Sequence, residues 1–191
     1  MVIIEIENKI SKETILLFDL DGTLIETNYA NFLAYNKAIY EEIERNIIYN
    51  PNERFTREKL KIKFPSLTVE QVKNIIAKKE LFFEEFLPKT KLNKFSFYFV
   101  EKYGNTNKNF LVTNSRKNRA LSILRYYNLE NKFEEIFFRQ KNNSRRVNKF
   151  KNVISKLNID PKMFLIFENE QAEILDAIDA GISQKNIIII K

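Results

Sequence analysis

The chain of 191 residues contains no cysteine and no histidine. Without cysteine there is no disulfide, no thiolate nucleophile and no zinc–thiolate site. Without histidine there is no Ser-His-Asp triad, no phosphohistidine chemistry and none of the usual zinc ligands. Chemistry in this chain must rely on carboxylates, hydroxyls, amides and cations, with a hard, oxygen-seeking metal where one is needed. The longest apolar runs are four or five residues, far short of the roughly 20 that cross a bilayer. The start, Met-Val-Ile-Ile-Glu-Ile-Glu, carries acids where a secretory leader carries bases. A cytoplasmic protein with no membrane partner is expected.

Glycine is also scarce, with three in the chain. Gly104 and Gly181 close helical stretches, and Gly22 follows a pair of aspartates. The composition is 44% hydrophobic and 30% charged, which suits one globular domain with a small insertion. A net charge of +7 suits an anionic partner such as phosphate, a nucleotide or nucleic acid. Richness in Lys, Asn, Ile and Phe equally reflects nucleotide bias.

Short apolar runs bounded by polar turn residues read as buried strands: Ile15–Phe18, Phe110–Val112, Glu135–Phe138, Phe164–Phe167 and Ile187–Ile190. Helical patterns lie between them at Arg119–Tyr127, Lys149–Leu157 and Gln171–Ala180. The alternation predicts an α/β fold, a doubly wound parallel sheet with ligands beyond the carboxyl ends of its strands. From 28 to 90 the pattern turns helical: Tyr29–Arg45, a looser stretch 46–65 with a short helix, and a capping box at Thr68–Gln71 opening a helix through Phe86. That block reads as a helical cap, 28–90, inserted into a core of 1–27 and 91–191. A second helical layer of one domain is the alternative.

Phe18-Asp-Leu-Asp-Gly-Thr-Leu24 carries the chemistry. Asp19 and Asp21 follow an apolar strand, and Gly22 lets the chain turn so that both acids face the strand's exposed end. Acids so close repel unless a cation lies between them. The pair suits metal-assisted phosphoryl transfer, with Asp19 as nucleophile and Asp21 as acid and base. An ordinary acidic turn is the competing reading.

This string resembles the first motif of the haloacid dehalogenase superfamily, Asp-x-Asp-Gly-Thr, and further motifs follow in order. Leu111-Val-Thr-Asn-Ser115 is similar to the second. The resemblance implies that the Thr113 hydroxyl and the Asn114 backbone N–H hold the phosphoryl group. Thr23 and Arg146 are expected beside Asn114 as substrate-binding residues. The third motif implies a phosphate-stabilising cation. Lys149, at a helix start, is favoured over Arg145 and Arg146. The fourth resembles Phe-Glu-Asp-Ser, read here as Phe167-Glu168-Asn169-Glu170. An amide replaces the expected metal-binding acid, so magnesium would be held by Asp19, Asp21 and Asn169 with Glu168 in support, and Glu173 would orient the cluster. Weakened metal affinity is the first consequence expected.

Within that family Asp21 argues against dehalogenation. The helical insertion resembles the cap of phosphoglycolate phosphatases and sugar-phosphate phosphatases, where Asn28, Asn31, Tyr35 and Lys37 are candidate specificity residues. A magnesium-dependent phosphohydrolase acting on a small phosphorylated metabolite is expected. The alternatives are a catalytically weak homologue that binds a ligand or protein, and a nucleic-acid end phosphatase.

Overall fold

The structure, a computed structural model, describes residues 2–140 and 147–191. The chain divides into two compact units, one comprising the residues up to Ile25 with Leu92–Lys191 and the other Glu26–Lys91.

In the first unit a helix, α1 (Val2–Glu7), precedes strand β1 (Ile15–Phe18), and a two-residue strand β2 (Ile25–Glu26) leads into the second unit. The second unit holds α2 (Asn28–Ile43), α3 (Arg57–Lys63), α4 (Val69–Phe82) and a 3-10 helix, Phe83–Lys89. After β3 (Lys91–Leu92) come α5 (Lys94–Tyr103), β4 (Asn109–Val112), α6 (Lys117–Tyr126), β5 (Glu135–Phe137), α7 (Lys149–Leu157), β6 (Phe164–Glu168), α8 (Gln171–Asp179) and β7 (Ile187–Ile189). β2 and β3 form a small two-stranded sheet.

The main sheet has five parallel strands in the order β5-β4-β1-β6-β7. Their apolar runs are continuous rather than alternating because both faces are buried. Ile15 and Leu17 face one side with Phe110, Val112, Phe164 and Ile166, packed with Phe150 and Val153 of α7 and Ile174 and Ala177 of α8. Phe18 faces the other side, stacked on Phe167 at 4.6 Å, and Phe99 of α5 lies 5.0 Å from Phe167. Full burial of each such side chain contributes about 1.5–3 kcal/mol. The strand order reverses at β1, which is flanked by β4 and β6. In open sheets of this kind a crevice forms at that reversal, beyond the carboxyl ends.

The second unit has its own core, in which Phe32, Tyr35, Ala38 and Ile39 of α2 pack with Leu60 of α3 and Val72 and Ile75 of α4. Thr68 caps α4 reciprocally with Gln71, as the capping box requires. The α-helix stops at Phe82 rather than running through Phe86, and the chain tightens into the 3-10 helix. Pro88 lies inside that segment and has no N–H to give to an α-helical ladder.

Candidate active site

The site grows from the ends of three adjacent strands. Phe18 is level with Leu111 of β4 and Phe167 of β6, so Asp19, Thr113 and Glu168 emerge as neighbours. The ladders continue one step past the apolar runs: Asp19 N donates to Phe167 O at 3.1 Å and Thr113 N to Phe137 O at 2.9 Å. Asp19, Asp21, Thr113 and Glu168 are all buried.

Lys149 supplies the central cation. Asn148 caps α7 by accepting from Phe150 N and Lys151 N at 3.0 and 3.1 Å, which fixes Lys149 in the first turn. Its Nζ donates to Asp19 Oδ1 and to Glu168 Oε2, both at 2.7 Å, and lies 3.7 Å from Glu173 Oε2. Burial disfavours the ammonium, but the carboxylates of Asp19, Glu168 and Glu173 outweigh it and hold Lys149 above the usual lysine range. Asp19 is pushed up to about 8, by burial first and then by Glu168, with Lys149 opposing and Asp21 adding a little. Its Oδ2 carries no hydrogen bond among the described residues. A buried carboxylate with one oxygen held by a lysine and the other open is placed to meet an electrophile.

Thr113 Oγ1 accepts from Ser115 N at 3.0 Å, which leaves its own hydrogen to donate elsewhere. The Asn114 amide donates to Glu173 Oε1 at 2.8 Å. Asp21 is held by two groups that sequence reasoning had not assigned: Arg119 Nη2 donates to Oδ1 at 2.6 Å, and the Ser115 hydroxyl donates to Oδ2. Arg119 had a signal in the sequence. It shares the buried face of α6 with Ala120, Ile123 and Leu124, and a cation on an apolar stripe needs a buried partner.

Asn169 has a second task. Gly22 has φ +92°, and a β-carbon there would collide with the Asn169 amide. The Asn169 oxygen accepts from the Thr23 hydroxyl at 2.9 Å. Thr23 is thus tied to Asn169, and both hold the turn after the acid pair. Glu168 is fully engaged, Oε1 by the N–H groups of Asn169 and Glu170 at 2.9 and 3.0 Å and Oε2 by Lys149. No group of three or more acids arranged to hold a metal occurs among the described residues. Asp19 presents an open oxygen, and the neutral amide oxygen of Asn169 accepts one hydrogen bond, from Thr23, which leaves it a lone pair. They fit magnesium, which takes one or two protein oxygens and completes its shell with water and phosphate.

Of the three candidate cations, Arg145 and Arg146 lie outside the described residues. In the helical unit, the Asn31 amide donates to Phe55 O at 2.9 Å, Tyr35 packs edge-on to Phe55 at 5.0 Å, and Lys37 pairs with Glu85 at 2.7 Å. All three contacts lie within the helical unit. Asn28 Oδ1 is buried without a hydrogen-bond partner among the described residues. No helix among the described residues is long and apolar enough to cross a membrane.

A parallel sheet with two carboxylates, a lysine and a threonine hydroxyl at its reversal point defines a phosphoryl-transfer class of site. The sequence profile of the haloacid dehalogenase-like hydrolases matches residues 16–187. A phosphorylated carbohydrates phosphatase of Thermotoga maritima is 27% identical over 183 residues, covering 88% of this chain and 82% of the relative. A structure described as a predicted phosphoglycolate phosphatase from Haemophilus somnus superposes with a TM-score of 0.77 at 19% identity, covering 94% of this chain and 86% of its own. CbbY of Rhodobacter sphaeroides, solved with phosphate, gives 0.72 at 16% identity, covering 91% and 84%. The chain belongs to the haloacid dehalogenase-like hydrolases.

Proposed function

We propose that this enzyme hydrolyses a small phosphomonoester, with magnesium, through an aspartyl-phosphate on Asp19. The observation that carries the reading is the Lys149 ammonium 2.7 Å from both Asp19 and Glu168, with Asp19 Oδ2 open at the carboxyl edge. Asp19 Oδ2 attacks phosphorus as the bond to the leaving oxygen breaks, and Asp21 supplies the proton that oxygen takes. A water then attacks the aspartyl-phosphate, returns a proton to Asp21 and frees Asp19. Lys149 and the Thr113 hydroxyl stabilise the phosphoryl oxygens, with Asn114 beside them. Asp19 and Asn169 would hold magnesium, which would supply positive charge to the transferring group. Glu168 acts by orienting Lys149. The name of the Thermotoga maritima relative supports a phosphorylated sugar as substrate.

The test is hydrolysis of 4-nitrophenyl phosphate across a magnesium titration by the wild-type chain and by Asp19→Asn. Metal-dependent turnover that falls to background in the variant is expected. Wild-type turnover no higher than the variant's at saturating magnesium would overturn the proposal. The neutral amide of Asn169 favours a second reading, a weak enzyme that chiefly binds its phosphorylated ligand. Retention of phosphate by the wild-type chain without turnover would support it.

A further inference from the structure

The phosphatase chemistry above uses Asp21 but says nothing of what holds it. Asp21 and Arg119 form an ion pair at 2.6 Å with side chains only 8% and 5% exposed. An arginine buried this deeply is costly to desolvate, and a plain helix start could be packed more cheaply with an apolar side chain. The Asp21 partners Arg119 and Ser115 also differ in kind. A guanidinium has donors only, whereas a hydroxyl both donates and accepts. A carboxylic O–H aimed at Arg119 would set hydrogen against hydrogen. The same O–H aimed at Ser115 keeps its bond, because the hydroxyl reverses its sense. The carboxylate is therefore divided into a fixed oxygen, Oδ1, and an exchangeable one, Oδ2.

We propose that Arg119 is a positioning residue for the proton transfer: it anchors Asp21 Oδ1, so that Oδ2, on the Ser115 side, is the oxygen that exchanges the proton with the leaving group. This rests on the phosphatase reading. Both anchors come from the segment after β4, Ser115 in its turn and Arg119 in the first turn of α6. That segment thus sets the second acid as well as presenting Thr113 and Asn114. Arg119 acts through Asp21, so its loss should weaken the step that needs a proton and spare the rest.

The readout is the dependence of kcat on leaving group, measured with substituted phenyl phosphates from 4-nitrophenyl to 4-methoxyphenyl at saturating magnesium. A nitrophenolate leaves without a proton, and a methoxyphenolate needs one. In Arg119→Gln the ratio of nitrophenyl to methoxyphenyl kcat should rise about tenfold over wild type, within the range that general acid catalysis supplies. Arg119→Lys, which keeps the charge but not the fixed fork, should recover part of the loss. Thermal melts show whether each variant is folded. If Arg119→Gln fails to fold, the ratio in Arg119→Lys decides: a raised ratio supports the proposal and an unchanged one overturns it. An equal loss across the series in a folded variant makes Arg119 a structural staple and overturns the proposal while the phosphatase reading stands. Wild-type turnover of 4-nitrophenyl phosphate no better than that of Asp19→Asn overturns both.

Discussion

The α/β unit and the helical unit bury their polar groups in different ways. Among the described residues, the charged side chains buried in the α/β unit are Asp19, Asp21, Arg119, Lys149 and Glu168, and they cluster at the carboxyl edge of the sheet. Among the described residues, the charged side chain buried in the helical unit is Lys79, which lies over the Tyr35 ring at 5.2 Å and pairs with Glu80 at 3.2 Å; the neutral Thr27, Asn31 and Thr90 are buried there too, beside a mainly apolar core. Buried charge is expensive, and apolar side chains of like volume often stabilise more. A fold that concentrates that cost at one sheet edge holds it there for chemistry, whereas the helical unit spends its interior on packing. Substitutions at the edge should therefore move activity and electrostatics, and substitutions in the helical unit should move stability.

The largest effect is expected at Lys149. Lys149→Met leaves Asp19, Glu168 and Glu173 facing one another without their cation, at a cost of about 3–5 kcal/mol. Denaturant melts should detect the loss, and turnover should vanish with it. A variant as stable as wild type would show that the acids do not depend on this ammonium.

Asp19 should behave in the opposite sense. A carboxyl raised toward about 8 contributes its full stability below the ordinary carboxylate value and loses it as pH climbs to the folded value. The unliganded wild-type chain is therefore handicapped at pH 8 relative to Asp19→Asn, and less so at pH 5. Relief on the order of 1 kcal/mol would raise the melting temperature by about 2–4 °C at pH 8. A variant that melts lower than wild type at both pH values would contradict this.

Asn169→Asp adds a charge to the donor set and should lower the magnesium concentration for half-maximal thermal stabilisation by about tenfold, equivalent to about 1.4 kcal/mol. An unchanged magnesium titration would remove Asn169 from the ligands. The smallest effect belongs to the helical unit. Thr68→Ala removes the α4 cap and should cost about 1 kcal/mol, with kcat for 4-nitrophenyl phosphate unchanged. A fall in kcat would break the contrast between the units.

Much of this was legible in the sequence because it is local. The apolar runs from Ile15 and from Phe164, closed by acids, mark β1 and β6, and Lys149–Leu157 coincides with α7 because Asn148 and the apolar spacing define its start. Asp19 and Lys149 follow from the same motifs. What could not be read depends on partners far apart in the chain. Arg119 and Ser115 lie 98 and 94 residues from Asp21, and nothing in a linear pattern joins them. Glu168 was expected to support a metal ion; its pairing with Lys149 across the site could not be read from a linear pattern. The two-residue strands β2 and β3 are too short for any periodicity to show.

The most direct measurement traps the covalent intermediate. The wild-type chain, mixed with magnesium and 4-nitrophenyl phosphate and quenched with borohydride, would have an aspartyl-phosphate reduced to homoserine, which mass spectrometry of the peptide spanning Asp19 and Asp21 can locate. Homoserine at position 19 is the outcome our account predicts. Steady phosphate release with position 19 unmodified, or with the change at Asp21, would contradict it.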